Sequence, residues 1–233
     1  MKTVILAGGF GTRLSEYTES IPKPMVPIGD KPIIEHIMRT YANYGHKEFI
    51  IALGYKGEII KKYFENFKED WKIDLIDTGA ETLTGGRVKR LEKIIKNETF
   101  FLTYGDGLCD VDINETLKFH KERKKIITVT AVRPLARFGS LIIKDSNVTE
   151  FNEKVIMGDS WINGGYFVVE PNIFDYLSGD SEILEKKPLE SLASISQFSA
   201  YKHDGFWQCM DHKVDKDKLD EMCKKNEMPW LKK

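Results

Sequence analysis

Apolar residues in the first half of the chain fall into two alternating kinds of segment. Short, nearly continuous apolar runs are typical of strands that are buried on both faces, and the first such run is residues 3–7, TVILA. Longer segments with apolar residues three and four positions apart are typical of helices with one buried face. The pattern predicts strands over residues 3–7, 48–54, 73–77 and 99–104, and helices over residues 32–44, 58–67 and 86–96.

This alternation predicts the fold class. Strand–helix–strand units connect right-handedly and build a mostly parallel sheet, so we predict a Rossmann-like α/β domain with helices on both sides of a central sheet. The second half adds antiparallel structure. We predict further strands over residues 126–132, 165–169 and 199–201, a hairpin of residues 140–143 and 148–151, and a helix over residues 214–225. The chain shows no internal repeat and no low-complexity linker, and residues 1–233 are predicted to form a single domain.

Composition narrows the possible partners. The chain has 35 Lys plus Arg against 36 Asp plus Glu, whereas proteins that bind nucleic acid are usually basic. The three cysteines, Cys109, Cys209 and Cys223, are widely spaced, which fits reduced thiols better than a disulfide framework or a zinc site. No apolar segment approaches the roughly 20 residues that span a bilayer, and the N-terminus lacks the features of a secretory signal. We expect a cytoplasmic protein that binds neither nucleic acid nor membrane.

A glycine-rich loop follows the first predicted strand at residues 8–14, GGFGTRL. Glycines allow the backbone to approach a ligand closely, and consecutive amides in such a turn bind anions. The guanidinium of Arg13 suits phosphate oxygens, and Lys23 lies between two prolines, which hold its charge in place. Ligands of open α/β sheets bind beyond the carboxyl ends of the strands, where this loop is expected. The spacing matches neither a Walker loop nor GxGxxG, which disfavours an NAD-dependent oxidoreductase.

Two aspartates are candidate metal ligands. Asp106 lies between glycines directly after a predicted strand, and Asp211 ends the segment GFWQCMD. Carboxylates together with phosphate oxygens are suitable ligands for Mg²⁺. Their positions also allow other roles, a turn residue for Asp106 and a helix N-cap for Asp211. Because the two aspartates are far apart along the chain, their positions alone do not indicate that they lie together in the fold.

Several segments resemble the sugar-phosphate nucleotidyltransferases. The string LAGGFGTRL followed by KPMVPI is similar to the signature of this family. The segments IDTGAETLTGGRVKR, FLTYGDG, INGGYFVVEP and GFWQCMD resemble, in the same order, the glucose-1-phosphate cytidylyltransferase branch. Together these segments cover most of the chain.

The resemblance implies an Mg²⁺-dependent cytidylyltransferase. CMP would move from CTP to the phosphate of a small acceptor, with release of pyrophosphate. Residues 1–125 would form the nucleotide-binding half and residues 126–233 the acceptor-binding half. By resemblance, Asp106 and Asp211 bind the metal, and the catalytic residues are Arg13, Lys23, Asp106 and Asp211. The implied nucleotide-binding residues are Leu6, Ala7, Gly8, Gly9, Gly11, Thr12, Arg13, Lys23, Thr84, Gly85, Arg87, Gly105 and Asp106, and those for the acceptor are Gly139, Glu153, Lys154, Asn163 and Gly164.

The acceptor side departs from the family pattern. The usual Glu-Lys-Pro motif is Glu153-Lys154-Val155 here, His212-Lys213 follow Asp211 where small or neutral residues are usual, and the segment between residues 67 and 75 is short. Glucose 1-phosphate or another sugar 1-phosphate is the first expectation, in capsule or polysaccharide biosynthesis. A phosphorylated amide such as phosphoglutamine, used in making capsular phosphoramidate, is the alternative.

Three further alternatives stay open. A regulatory subunit that binds nucleotide without catalysis would be free to lose Arg13, Lys23, Asp106 and Asp211, and this chain has all four. Arg87 has its own alternative, a solvated residue in the first turn of a basic helix. The family is commonly oligomeric, which leaves a homo-oligomer as a further alternative.

Overall fold

A computed structural model describes residues 1–134, 140–152 and 160–231, with the backbone alone for residues 140, 143 and 152. The described strands are β1 Lys2–Ala7, β2 Pro27–Ile28, β3 Lys31–Pro32, β4 Glu48–Leu53, β5 Lys72–Asp77, β6 Phe100–Tyr104, β7 Gly107–Cys109, β8 Ile127–Val132, β9 Ser140–Lys144, β10 Asn147–Asn152, β11 Ile162–Val169, β12 Phe198–His203 and β13 Trp207–Cys209. The described α-helices are α1 Ser15–Thr18, α2 Ile33–Asn43, α3 Gly57–Phe64, α4 Thr84–Arg90, α5 Glu92–Ile95, α6 Ile113–Arg123, α7 Lys187–Ser194 and α8 Lys213–Lys224.

Seven of the described strands form the central sheet, in the order β12-β8-β11-β6-β1-β4-β5. Among them β11 alone runs antiparallel to its neighbours, β6 and β8, while the other pairs are parallel. In register, Leu6 lies beside Tyr104 on one side and Ala52 on the other. Because β11 is reversed, its first residues lie at the edge where β1, β5 and β6 end. Residues from all four strands therefore meet at that edge, and the predicted fold class is confirmed.

Both faces of the sheet are covered, which explains the unbroken apolar runs. Ile5 and Phe101 face one core cluster, to which α2, α3, α6 and α8 contribute, and Val4 and Leu102 face another with α4, α5 and α7. All four side chains are at most 1% exposed. Burying a large apolar side chain contributes about 1.5–3 kcal/mol, so the central strands are a rigid base for the loops at their ends.

The observed elements differ from the prediction in several places. Helix α1 and the short strands β2, β3, β7 and β13 were not predicted. The helix predicted over residues 86–96 is two helices, α4 and α5, because the backbone breaks at Leu91. Helices α6 and α7 were not predicted. Helix α6 has an N-cap signal in its sequence, since the Asp112 carboxylate accepts a hydrogen bond from the backbone N–H of Glu115 at 2.9 Å. The predicted hairpin is confirmed as β9 and β10, which pair with each other.

No helix in the described part of the chain is long and apolar enough to cross a membrane. The single domain and its division at residue 125 stay predictions.

Candidate active site

A cleft of about 610 Å³ lies at the edge where β1, β5 and β6 end. Its walls come from the loops after these strands, from the start of β11 and from the segment that runs from β13 to Asp211. Every sequence-predicted site residue that the structure describes lines this cleft, except Gly85. They are Leu6, Ala7, Gly8, Gly9, Gly11, Thr12, Arg13, Lys23, Thr84, Arg87, Gly105, Asp106, Asn163, Gly164 and Asp211. The structure thus brings together the predicted nucleotide and acceptor residues.

The remaining predicted residues are Gly85, which does not line the cleft, and three residues that the structure does not describe. Gly85 packs behind the cleft wall, where its N–H donates to the carbonyl of Glu182 at 2.9 Å. A β-carbon on Gly85 would come within 2.9 Å of the Glu182 side chain, so its place calls for glycine. Gly139, Glu153 and Lys154 lie outside the described residues, and their roles in acceptor binding stay predictions.

The two aspartates are close in space although they are far apart in sequence. The antiparallel pair β7–β13 places Gly107 beside Cys209 and thereby brings Asp106 and Asp211 to the same end of the cleft. The Lys23 ammonium lies 2.7 Å from Asp106 Oδ2 and 2.8 Å from Asp211 Oδ1. The helix N-cap alternative for Asp211 is wrong, because His212 caps α8.

Charge holds this cluster together. Lys23 is 8% exposed, and burial alone would lower its pKa, but Asp106 and Asp211 outweigh that effect and the pKa of Lys23 is raised. Burial would likewise raise the pKa of Asp211. Hydrogen bonds and charge from Lys23, together with the charge of Arg13, reverse the effect and lower it. Arg13 Nη1 lies 2.6 Å from Asp211 Oδ2. Lys23 and Asp211 are therefore both ionised at neutral pH.

The two carboxylates fit the Mg²⁺ that the resemblance implies. Each directs an oxygen at the same cation-sized position, which the ammonium of Lys23 occupies in this structure. Mg²⁺ is usually held by one or two carboxylates with substrate phosphates and waters completing its coordination. The adjoining cleft has room for both.

The glycine loop has a backbone shape that its sequence requires. Gly11 has a φ of +65°, a region that suits glycine, and a β-carbon there would lie 2.8 Å from the Thr18 methyl group. The hydroxyl of Thr18 donates to the Gly11 carbonyl at 3.0 Å. Thr12 then begins a 3₁₀ turn that directs Arg13 towards Asp211.

Arg87 holds three segments of the cleft in place. It is 4% exposed, so the solvated-helix alternative is wrong. Within the described chain, its guanidinium donates hydrogen bonds to five acceptors, which lie at the end of β4, in the loop after β5 and in the glycine loop. They are the carbonyls of Leu53, Gly79, Gly8 and Ala80 and the hydroxyl of Thr78, at 2.7 to 3.1 Å. A β-carbon on Gly8 would lie 2.2 Å from Arg87 Cζ, so the two residues require each other.

Sequence reasoning missed a hydrogen-bonded bridge across the cleft. Glu185 accepts from the Thr84 hydroxyl at 2.6 Å and from the Tyr104 hydroxyl at 2.5 Å. Asn163 Nδ2 in turn donates to the Tyr104 hydroxyl at 3.1 Å. The bridge joins Thr84, on the predicted nucleotide side, to Asn163, on the predicted acceptor side. Glu185 lies in an exposed segment with no motif around it, which explains why it was missed.

Comparison with known proteins places the chain in a family. Residues 2–211 match the family model described as Nucleotidyl transferase. A glucose-1-phosphate cytidylyltransferase of Salmonella typhimurium is 44% identical over 253 aligned positions, which cover 99% of this chain and 98% of the relative. A probable glucose-1-phosphate cytidylyltransferase of Bacillus subtilis is 40% identical over 99% of each chain.

Solved structures agree on the fold. HddC from Yersinia pseudotuberculosis, also solved in complex with GMP-PN, has a TM-score of 0.76 at 28% identity and covers 95% of this chain and 99% of its own. A UDP-glucose pyrophosphorylase complexed with UDP-glucose has a TM-score of 0.76 at 19% identity, covering 97% of this chain and 98% of its own, and supports the fold alone. The cleft, its paired aspartates and these full-length relatives lead to one conclusion: the chain belongs to the nucleotidyl transferase family and is a sugar-phosphate nucleotidyltransferase.

Proposed function

We propose that this enzyme transfers CMP from CTP to the phosphate of a sugar 1-phosphate, with glucose 1-phosphate first among acceptors, and that it requires Mg²⁺. The observation that carries the proposal is the convergence of Asp106, Asp211 and Lys23 in one cleft with the glycine loop. The names of the relatives at 40% and 44% identity support cytidine as the base and glucose 1-phosphate as the acceptor.

In the proposed reaction, an acceptor phosphate oxygen attacks the α-phosphorus of CTP in line. The new bond joins that oxygen to the α-phosphorus, and the bond to the β-phosphate oxygen breaks as pyrophosphate leaves. The acceptor phosphate is already an anion, so no side chain has to remove a proton from it. Catalysis then depends on positioning and charge neutralisation.

Each part of the cleft has a role in that scheme. Backbone amides of residues 8–12 surround the triphosphate, and Arg13 neutralises charge on its oxygens. Asp106 and Asp211 would hold Mg²⁺, which when bound shares the negative charge of the phosphates. Lys23 would donate to a phosphate oxygen where negative charge develops.

The acceptor has a second candidate, a phosphorylated amide such as phosphoglutamine. The sequence Glu153-Lys154-Val155 departs from the family motif on the acceptor side. The alignment with the Salmonella relative has 253 positions against the 233 residues of this chain, so the relative carries residues that this chain lacks. Both observations favour an altered acceptor pocket with the same cytidylyl transfer.

A substrate screen tests the proposal. Pyrophosphate release is measured with Mg²⁺, with CTP, UTP or dTTP, and with glucose 1-phosphate, other sugar 1-phosphates or phosphoglutamine; products are identified by mass spectrometry. We expect CTP with glucose 1-phosphate to be the fastest pair. Equal turnover with UTP would contradict the base assignment. If phosphoglutamine is the only acceptor that gives turnover, it replaces glucose 1-phosphate as the assigned acceptor. No turnover with any pair would favour the regulatory subunit.

A further inference from the structure

Cys209 lies beside the two aspartates that the proposed function assigns to the metal. Its Sγ and one carboxylate oxygen from each of Asp106 and Asp211 all lie within 4.8 Å of one another. The residue is on β13, is partly exposed and lines the same cleft. The cluster therefore contains one soft sulfur donor and two hard oxygen donors.

We propose that Cys209 is a third ligand of this centre. The centre therefore binds thiophilic divalent cations such as Zn²⁺ and Cd²⁺ at the position proposed for Mg²⁺. Sulfur and oxygen donors in one site suit these cations, whereas Mg²⁺ has little affinity for sulfur. The inference rests on the proposed function in one respect, the assignment of Asp106 and Asp211 as metal ligands.

A cation already occupies the position in question. The Lys23 ammonium lies 2.7 and 2.8 Å from the two carboxylates, which marks where positive charge is stabilised. Lys23 has a long side chain and the cleft is open beside it, so an incoming divalent cation can displace the ammonium. Two carboxylates attract a divalent cation more strongly than they attract a singly charged ammonium group.

The Cys209 thiol would lose its proton when a divalent cation binds. A bound divalent cation reverses the local charge, and a coordinating thiol then loses its proton. In the exchange a metal–sulfur bond forms, the S–H bond breaks and the proton passes to solvent, with no oxidation or reduction.

The other cysteines provide matched comparisons. Cys109 also lies within 4.8 Å of a carboxylate and an imidazole, those of Asp110 and His203. Its side chain, however, is 0% exposed and packs in the apolar core, and His203 already holds Asp110 at 2.7 Å. Cys223 lies on α8 and outside the cleft lining. Thiophilic cations should therefore select Cys209.

Titration with Cd²⁺ tests the inference through the sulfur-to-cadmium charge-transfer absorption in the ultraviolet. We expect a saturable band in the wild-type protein, in Cys223→Ser and in Cys109→Ala. We expect no such band in Cys209→Ser, with Cd²⁺ affinity lower by at least about tenfold. A band that persists in Cys209→Ser, or one that disappears in Cys109→Ala, would overturn the assignment.

A second measurement needs no variant of Cys209. Wild-type protein is alkylated with and without Cd²⁺, and the modified peptides are mapped by mass spectrometry. We expect Cd²⁺ to protect Cys209 selectively; unprotected Cys209 would refute the inference. Mg²⁺-dependent turnover of the wild type is measured separately, so a cadmium site on Cys209 without cytidylyl transfer would contradict the proposed reaction and leave this ligand set standing.

Discussion

Replacing Arg87 with methionine removes a buried guanidinium while it keeps a long, unbranched side chain. The five acceptors of that guanidinium belong to the end of β4, the loop after β5 and the glycine loop. Without it, these segments lose the bonds that join them. We expect Arg87→Met both to destabilise the protein and to weaken nucleotide binding, because the glycine loop would no longer be fixed.

The size of the stability effect follows from which bonds are lost. Three of the five bonds are buried, those to the Leu53 and Gly8 carbonyls and to the Thr78 hydroxyl. Both carbonyls retain another donor, the N–H of Thr78 for Leu53 and the N–H of Tyr55 for Gly8. Hydrogen bonds to a charged donor contribute about 1.5–3 kcal/mol each, and these retained donors reduce the loss, so we expect a decrease of about 3 kcal/mol in the free energy of unfolding.

Urea unfolding followed by circular dichroism measures this effect, with Arg90→Met as the matched control. Arg90 is on the same helix and forms an exposed ion pair with Asp180, so its removal should change stability little. Isothermal titration calorimetry with CTP gives the effect on binding. Unfolding of Arg87→Met at the same urea concentration as the wild type, or equal destabilisation of Arg90→Met, would refute this role of Arg87.

Three further predictions follow from the same cleft. Gly8→Ala should unfold at a lower urea concentration than Gly9→Ala, because the new β-carbon would lie 2.2 Å from Arg87 Cζ, whereas nothing lies within 4 Å of that position on Gly9; equal midpoints would argue against this. Glu185→Gln should raise KM for nucleotide and acceptor about 2- to 10-fold, since an amide oxygen can replace only part of a carboxylate that accepts two hydrogen bonds; steady-state kinetics with unchanged KM would contradict the bridge. The pKa of Asp211 is lowered in the folded protein, so the ionised carboxylate stabilises the fold fully above its ordinary pKa of 3.8, and this stabilisation is lost as the pH falls through the lower folded value. The free energy of unfolding of the wild type should therefore decline more steeply below pH 3.8 than that of Asp211→Asn. Parallel declines would refute this prediction.

How well each helix could be predicted depended on how clearly its sequence shows an amphipathic pattern. Helix α2 buries a broad apolar face that includes Ile33, Ile37 and Tyr41, and its sequence predicted it. Helix α6 buries Ile113, Thr116 and His120, so two of these three buried residues are polar. The polar residue His120 is satisfied there by hydrogen bonds with Thr128 at 2.7 Å and with Glu170 at 3.1 Å. A polar face satisfied by distant residues leaves no periodic signal in the helix's own sequence.

The residues of the candidate site also differ in how far the local sequence predicts them. The glycine loop with Arg13 could be read from local sequence, because backbone freedom and charge are local properties. Asp106 and Asp211 were paired by resemblance, and their closeness depends on the strand pair β7–β13. The hydrogen bonds of Arg87 and the bridge through Glu185 join segments far apart in the chain, and no local pattern encodes them.

The central claim is that Asp106 and Asp211 hold the cation for cytidylyl transfer, and pyrophosphate release at varied Mg²⁺ tests it most directly. Asp217→Asn is the control, because this exposed aspartate of α8 pairs with Lys213 outside the cleft. We predict that Asp106→Asn and Asp211→Asn each lose about 100-fold or more of Mg²⁺-dependent turnover with CTP and glucose 1-phosphate, while Asp217→Asn matches the wild type. Near wild-type rates in both cleft variants would contradict the account.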